Sequence, residues 1–173
     1  MTAPDPAAAP APGPASAPLA DVPALEVRAT PVTAPEALEL IAGSEAELAS
    51  IYPPDVRFAF SPQELVEAQV HFVVAWAEGE PAACGGFAPL AGYGELKRMF
   101  TRPDRRGRRL AGAVLAVLEA EARARGLPVM RLETGEASPE AIRAYERAGY
   151  ARRGPFGAYE ENGSSVFMEK PLR

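Results

Sequence analysis

The spacing of apolar residues predicts that the fold begins with one strand and two helices. Apolar side chains alternate over residues 25–29, as in a half-buried strand. Residues 34–52 have helical spacing, and Gly43 leaves open whether they form one helix or two. Ser61-Pro62-Gln63-Glu64 supplies an N-cap hydroxyl, a proline at the first helical position and a carboxylate at the third. A short helix should therefore run from Ser61 to about Gln69.

The next segments alternate between β-prone runs and turns. Residues 71–76 form a nearly continuous β-prone run, Glu78-Gly79-Glu80 is a turn, and residues 82–90 predict a strand that runs back. A second turn at Ala91-Gly92 leads into a strand over residues 95–101. These three strands should form an antiparallel meander.

The C-terminal part predicts a strand–helix–strand crossover followed by two further strands. Helices are expected over residues 109–125 and 138–149, and strands over residues 129–134, 151–153 and 164–170. The predicted fold class is therefore α/β. Its mixed sheet should have about seven mostly antiparallel strands, helices on both faces and a right-handed crossover.

The helix predicted over residues 109–125 has one apolar stripe, which should pack on the sheet. The stripe consists of Leu110, Val114, Val117, Leu118 and Ala122. The residues expected to lie off the stripe are Glu119, Glu121 and Arg123.

Composition divides the chain into two parts. Residues 1–23 are almost entirely Ala and Pro, and such a segment cannot bury enough apolar surface to offset the entropy lost on ordering. We expect a disordered tail there. The whole chain is 47% hydrophobic and 24% charged, which is ordinary for a soluble protein, so residues 24–173 should form one domain.

Two residue types that carry much enzyme chemistry each occur once. Cys84 is the sole cysteine, which excludes an internal disulfide and a cysteine-based metal cluster. His71 is the sole histidine, which argues against most zinc sites and most nucleophile–histidine relays. We therefore expect no metal and interpret both residues as structural.

The sequence lacks signals for membranes and export. It has no stretch of about 18 apolar residues, and its N-terminus lacks the basic-then-apolar order of a secretory signal. We expect no membrane partner and a cytoplasmic location.

A cluster of basic residues opposes the net charge of −5. It consists of Lys97, Arg98, Arg102, Arg105, Arg106, Arg108 and Arg109, with Asp104 as the counter-charge within the segment. The cluster lies where a strand passes through a loop into a helix. A helix N-terminus offers up to about four unpaired N–H groups and about half a positive charge, which suits an anion.

These features predict a pyrophosphate-binding loop. Gly107 permits a tight approach, and the small residues Ala111 and Gly112 let phosphates lie close to the helix backbone. One alternative is a merely solvated loop. Another is a nucleic-acid site, but no basic stripe or aromatic platform extends beyond the loop, so we expect no nucleic-acid partner.

Two segments resemble signatures of the GNAT acetyltransferases. Residues 106–111 are similar to the family's acetyl-CoA motif, which has Arg or Gln, two free positions, Gly, one free position, and Gly or Ala. Arg109 stands where the Gly is usual. Residues 141–150 resemble the second signature, an Ala-rich helix in which Tyr145 lies four residues before Gly149-Tyr150. The resemblance covers roughly residues 25–173.

Three shorter motifs resemble a bacterial subgroup of that family whose substrates are mostly unassigned. They are Glu95-Leu-Lys-Arg-Met, Leu132-Glu-Thr-Gly and Phe156-Gly-Ala-Tyr159. Phe156 and Tyr159 could line an acceptor pocket or simply close the core.

The resemblance implies acetyl-CoA as cosubstrate. The backbone of residues 99–101 would pair with the pantetheine arm, and residues 107–112 would cradle the pyrophosphate. In the family, the strands matching residues 95–101 and 129–134 splay apart, and the thioester enters the gap. Ser138 stands where the family usually has an Asn that contacts CoA, although it could serve only as a helix N-cap. The implied contacts are Met99, Phe100, Thr101, Arg106, Gly107, Arg108, Arg109, Leu110, Ala111, Gly112, Ser138 and Tyr145.

Aminolysis of a thioester needs a neutral amine and a proton for the departing thiol. An alkyl amine of pKa ~10.4 is neutral in only about one molecule in 2,500 at pH 7, a handicap of roughly 4.6 kcal/mol that a base relieves. Glu133 matches the general base of some family members, and Glu95 matches a water-positioning Glu of others. Either could instead bind a substrate cation, stay solvated or pair with an arginine such as Arg131.

Tyr145 is the expected proton donor. A phenol of pKa ~10 is protonated at neutral pH and can pass a proton to a thiolate of pKa ~8.5. The alternative is a tyrosine that only packs in the core. A strand amide near Met99 should meet the oxyanion.

These residues predict an N-acetyltransferase that transfers an acetyl group from acetyl-CoA to the amine of a small molecule by direct attack. The alternatives are a protein N-terminal or lysine acetyltransferase and a non-catalytic acyl-CoA sensor. The resemblance makes a homodimer possible, because dimers are common in the family.

Overall fold

The computed structural model describes residues 25–173, so the tail predicted over residues 1–23 lies outside the described residues. Within that range the chain forms seven strands and four helices. The strands are β1 (Leu25–Ala29), β2 (His71–Ala77), β3 (Glu80–Leu90), β4 (Tyr93–Thr101), β5 (Val129–Gly135), β6 (Ala151–Arg153) and β7 (Ser165–Pro171). The helices are α1 (Pro35–Ile51), α2 (Pro62–Glu67), α3 (Leu110–Ala124) and α4 (Pro139–Arg147).

The seven described strands form one sheet in the order β1-β2-β3-β4-β5-β7-β6. Strands β1 to β4 make an antiparallel meander, β5 pairs in parallel with β4, and β7 runs antiparallel between β5 and β6. A parallel pair needs a crossover connection, and α3 supplies it. The predicted fold class, a mixed α/β sheet with mostly antiparallel strands, is confirmed.

Alternating side chains divide the core into two layers. On β2, Val73 packs in the layer that α3 and α4 cover, and its neighbour Val74 packs in the layer that α1 and α2 cover. Both side chains are fully buried, and full burial of a residue of this size contributes about 1.5–3 kcal/mol. The prediction of helices on both faces is confirmed.

The helices α1 and α2 follow directly from local sequence. α1 is a single helix, and a Cβ built on Gly43 would lie 3.1 Å from the Phe100 ring, so this glycine allows close packing rather than a break. In α2, the Ser61 hydroxyl accepts the Glu64 N–H at 3.2 Å, and the Glu64 carboxylate accepts the Ser61 N–H at 2.7 Å. The predicted capping box is confirmed, although α2 ends at Glu67.

The expected apolar stripe of α3 is partly wrong. Glu119 is buried, with 5% of its surface exposed, whereas Val117 is 36% exposed and Leu115 takes the buried position. The burial of Glu119 is compensated by Lys170 of β7, whose ammonium donates to its carboxylate at 2.7 Å. Sequence periodicity cannot anticipate a cation that comes from a distant strand.

Strand β4 contains a bulge and pairs with β5 over only two residue pairs. Lys97 pairs with Gly86 and Phe100 pairs with Cys84, so Arg98 and Met99 together face one residue of β3. Arg98 has a positive φ of 54°, and the two parallel strands pair only at Gly94–Met130 and Glu95–Arg131. The expected gap between β4 and β5 therefore opens just before the bulge.

The close pairing of β2 with β3 predicts that Gly86→Ala strongly destabilises the protein. A Cβ on Gly86 would lie 2.8 Å from the backbone oxygen of His71, and paired backbone cannot move away easily. We expect the free energy of unfolding in urea to fall by about 2 kcal/mol. Gly154→Ala is the control, because a Cβ there meets nothing within 4 Å, and it should change stability by less than about 0.5 kcal/mol. Equal stability of the two variants would contradict the prediction.

Candidate active site

A cavity of about 190 Å³ lies where β4 and β5 separate. Residues 96–100 of β4 and 132–135 of β5 line two of its walls. Residues 56–60, in the connection between α1 and α2, line a third, and α4 contributes Tyr145. The cavity thus brings together two of the three predicted catalytic residues, Tyr145 and Glu133.

Tyr145 lies on the buried face of α4 and is 9% exposed. Its ring meets that of Tyr150 edge-on, with centroids 5.8 Å apart. Burial raises the pKa of Tyr145, and the negative charge of Glu133 raises it further. The phenol is therefore protonated throughout the physiological pH range, with its position fixed by packing.

Glu133 points its carboxylate toward Ser165 of β7, whose hydroxyl donates to Oε1 at 2.7 Å. Burial raises the pKa of Glu133 above its ordinary value, and the bond from Ser165 opposes that rise. The alternative partner Arg131 is engaged elsewhere, because its Nε donates to Glu169 at 3.2 Å. Glu133 is therefore a cavity carboxylate without an arginine partner among the described residues.

Glu95 lies behind Lys97 and does not line the cavity. Its Oε1 accepts from the Lys97 ammonium at 2.7 Å and from the Tyr159 hydroxyl at 2.6 Å. Glu95 and Lys97 are 6% and 8% exposed, and the ammonium also lies 4.0 Å from the centre of the Phe60 ring. The three polar groups form a largely buried cluster in which one oxygen of the Glu95 carboxylate accepts two hydrogen bonds.

The two aromatic residues of the loop between β6 and β7 have different roles. Tyr159 lines the cavity. Phe156 is buried and packs edge-on against Tyr93 and Phe167, at centroid distances of 5.6 and 5.9 Å. Tyr159 is thus a cavity wall, and Phe156 closes the core.

Ser138 precedes α4 but its side chain does not cap the helix. Its hydroxyl instead lies 2.9 Å from the hydroxyl of Tyr52, at the end of α1. A Cβ on Gly135 would overlap the Tyr52 hydroxyl, so the glycine makes room for this contact. Tyr52 therefore reaches from α1 to the end of β5.

The basic loop leads into α3 without a side-chain cap. Arg109 occupies the N-cap position with φ 60° and ψ 23°, and Gly107 has φ 80°. No acidic residue lies in the first turn, and a Cβ added to Gly112 would meet nothing within 4 Å. The helix N-terminus thus presents backbone N–H groups beside open space.

The arginines of this loop are paired with carboxylates from elsewhere in the fold. Arg105 bonds Glu78 and Glu80 at 2.5 and 2.8 Å, Arg108 bonds Glu78 at 3.2 Å, and Arg106 bonds Glu47 at 2.5 Å. The sequence segment shows only Asp104 as a counter-charge, and the fold adds the others. The guanidinium groups of Arg105, Arg106 and Arg108 are therefore largely engaged within the fold.

The sole histidine and the sole cysteine lie outside the cavity lining. His71 packs against Phe87 and contacts Arg125, and burial lowers its pKa. Cys84 is fully buried, and its pKa is raised to about 12. Residues 25–173 contain no group of three or more His, Cys, Asp or Glu residues placed to hold a metal ion, and no helix long and apolar enough to cross a membrane.

Several cavity residues escaped the sequence analysis as site residues. Tyr52, Arg57, Phe58 and Phe60 come from the end of α1 and the irregular connection that follows, where no periodic pattern marks a role. Lys97 stood within the basic cluster, but its contact with Glu95 and Tyr159 depends on the pairing of distant segments.

Comparison with known proteins assigns the chain to a family. Residues 35–150 match the model of the acetyltransferase (GNAT) family. The chain is 39% identical over 137 residues to the IAA acetyltransferase of Azospirillum brasilense, covering 78% of this chain and 90% of that protein. It is 37% identical over 123 residues to the uncharacterized N-acetyltransferase YsnE of Bacillus subtilis, covering 69% and 82%.

Solved structures agree. A candidate acyl-CoA N-acyltransferase from Klebsiella pneumoniae is 36% identical, with a TM-score of 0.72 and coverage of 86% of this chain and 98% of that chain. The PaiA N-acetyltransferase of Thermoplasma acidophilum, solved with coenzyme A, shares the fold at 20% identity, with a TM-score of 0.66 and coverage of 86% and 99%. The chain belongs to the GNAT family and is an acyl-CoA-dependent N-acetyltransferase.

Proposed function

We propose that this enzyme transfers an acetyl group from acetyl-CoA to the amine of a small molecule, which attacks directly in the cavity between β4 and β5. The observation that carries the proposal is that Tyr145 and Glu133 line this one cavity, in the gap between the strands. The name of the Azospirillum relative specifies a small-molecule acceptor, IAA, which favours a small molecule over a protein substrate.

The residues around α3 fit a coenzyme pyrophosphate. The uncapped helix N-terminus offers N–H donors and positive potential, and the open space at Gly112 leaves room beside them. Beyond Glu95, β4 has no ladder partner on its β5 side, so its edge can receive the pantetheine arm as an extra strand. The proposed contacts are Met99, Phe100, Thr101, Arg106, Gly107, Arg108, Arg109, Leu110, Ala111, Gly112, Ser138 and Tyr145.

In this proposal acetyl-CoA supplies an acyl group activated as a thioester. Glu133 accepts the proton of the incoming amine, directly or through one water, and its raised pKa brings it closer to that task. Tyr145 holds a proton at Oη for the departing thiol, and the amide near Met99 stabilises the oxyanion. Glu95 is a positioning residue that holds Lys97 and Tyr159 in the cavity wall.

Gly112→Glu tests the coenzyme site. A carboxylate in the first turn of α3 is favourable for the helix but repels pyrophosphate, so we expect the Kd of CoA to rise about 10-fold or more without loss of stability. Calorimetric titration measures the change. Gly112→Gln has nearly the same volume without the charge and should bind CoA more tightly than the Glu variant. Equal affinities of the two variants would place the pyrophosphate elsewhere.

Tyr145→Phe tests the proton donor. We expect kcat to fall about 100-fold while the Kd of CoA changes little, because only the phenol proton is lost. Thiol release measures kcat. Tyr150→Phe is the matched control, because its hydroxyl is also buried but the residue does not line the cavity. A wild-type protein that binds CoA but releases no thiol with any amine would instead be an acyl-CoA sensor.

Glu133→Gln tests the base through pH. A base must be deprotonated, so wild-type kcat/KM should decline as the pH falls through the raised pKa of Glu133, and the Gln variant should lose this limb and about 100-fold in rate. If the Gln variant kept the wild-type pH profile, the general base would be a group other than Glu133.

The same variant should show the linked effect on stability. A carboxyl whose pKa is raised by folding favours the folded state while protonated, and that contribution is lost as the pH rises through the raised value. The difference in Tm between Glu133→Gln and wild type, variant minus wild type, should therefore be larger at pH 7 than at pH 4.

A further inference from the structure

The charged groups that line the cavity are distributed unevenly. Among the described residues, two carboxylates line the cavity: Glu133 lies on the β5 side, and Glu47 of α1 is paired with Arg106 at 2.5 Å. Lys97 and Arg98 of β4 and Arg57 of the α1–α2 connection line the other side. The cavity thus has one acidic wall and one basic wall.

The basic wall has more positive charge than its partners neutralise. Lys97 is matched by Glu95 at 2.7 Å. Arg57 and Arg98 share one carboxylate, Glu45, at 3.2 and 3.0 Å, and the Glu45 side chain is 48% exposed. Two guanidinium groups against one solvated carboxylate leave a net positive charge at this wall.

A further carboxylate close to this wall is committed elsewhere. Glu64 has a low pKa first because of its hydrogen bonds to Ser61 in the capping box of α2, and only to a smaller extent because of the charges of Arg98 and Lys97. It is fully exposed and forms no ion pair with either cation among the described residues.

The same two arginines have unused hydrogen-bond donors. Arg57 Nε and Arg98 Nη1 are buried and lack a hydrogen-bond partner among the described residues. The Arg98 side chain is only 4% exposed, and an unsatisfied buried donor is unfavourable unless a ligand meets it. Arg57 belongs to an irregular segment outside both α1 and α2. A small shift of its side chain can therefore turn its Nε toward an anion in the cavity.

Part of the remaining lining is apolar and aromatic. Phe58, Phe60 and Tyr159 face the cavity, and Phe58 is 42% exposed, which is high for a phenylalanine. Such a surface suits the hydrocarbon or aromatic body of a small molecule.

We infer that the acceptor is an amine that also carries a carboxylate and an apolar body, as an apolar amino acid does. Its amine lies at Glu133, and its carboxylate lies at the wall formed by Arg57, Lys97 and Arg98. The inference rests on the proposed function and narrows its substrate class. A polyamine is disfavoured, because its second cation would meet three positively charged side chains.

Arg57 is the residue that tests this assignment. Arg98 also holds the fold, since its Nε donates to the backbone oxygen of Phe60 at 2.7 Å, and Lys97 holds Glu95. Arg57 has a single side-chain hydrogen bond, to Glu45. Arg57→Gln therefore removes charge from the wall with the least damage to the structure.

The experiment compares three acceptors by thiol release: L-phenylalanine, phenethylamine, which lacks the carboxylate, and spermidine. We expect wild-type kcat/KM to be about 10-fold or more higher for phenylalanine than for the other two. Arg57→Gln should raise the KM for phenylalanine about 10-fold and leave that for phenethylamine unchanged. Each acceptor is compared by the ratio of its KM for the variant to its KM for the wild type. The different pKa values of the amines therefore do not affect the comparison. Arg152→Gln, which removes an exposed arginine paired with Glu136, should change neither KM.

The outcomes separate this inference from the proposed function. Equal or better turnover of phenethylamine or spermidine would overturn the carboxylate requirement and leave the small-molecule acetyltransferase intact. A carboxylate preference that survives in Arg57→Gln would overturn the assignment to this wall. Binding of acetyl-CoA without thiol release from any amine in a wider panel would overturn both.

Discussion

The separation of β4 from β5 is the constraint on which the rest of the structure depends. Two parallel strands would ordinarily continue their ladder to the end and fill the space between them with backbone hydrogen bonds. Here the ladder stops at Glu95–Arg131, and the bulge at Arg98 follows. Arg98 has a left-handed backbone, and its guanidinium ties the bulge to the backbone of Phe60. The gap, the cavity and its third wall thus meet at this irregularity.

The cavity that this gap creates contains buried charge, which is costly unless each charge is compensated. An unpaired ion in a protein interior costs several kcal/mol. Glu95, Lys97 and Tyr159 meet this requirement by bonding one another. Glu133 meets it with a single hydroxyl and a raised pKa. The contrast supports different roles for the two carboxylates, one structural and one available to an incoming amine.

The loop before α3 follows a different principle, because the donors it leaves open belong to the backbone. The loop arginines are largely engaged with Glu47, Glu78 and Glu80. Arg109, at the position where the family motif usually has Gly, adopts the left-handed conformation that explains that preference. A side chain there costs about 1–2 kcal/mol but removes no N–H donor. In the proposed coenzyme site, recognition by the backbone would therefore tolerate arginine at this position.

Local sequence determined much of this protein. The seven strands, the capping box of α2, the glycine-containing loop before α3 and the helix that carries Tyr145 follow from periodicity, turn residues and capping, which act over a few neighbouring residues. The resemblance to the family signatures then indicated Tyr145 and Glu133. Tertiary structure alone decided that Glu95 pairs with Lys97 and Tyr159, that Glu119 is buried against Lys170, and that Arg57 lines the cavity. These contacts depend on which distant segments of the chain meet. A local sequence pattern carries no information about the charged side chain that folding places next to a given residue.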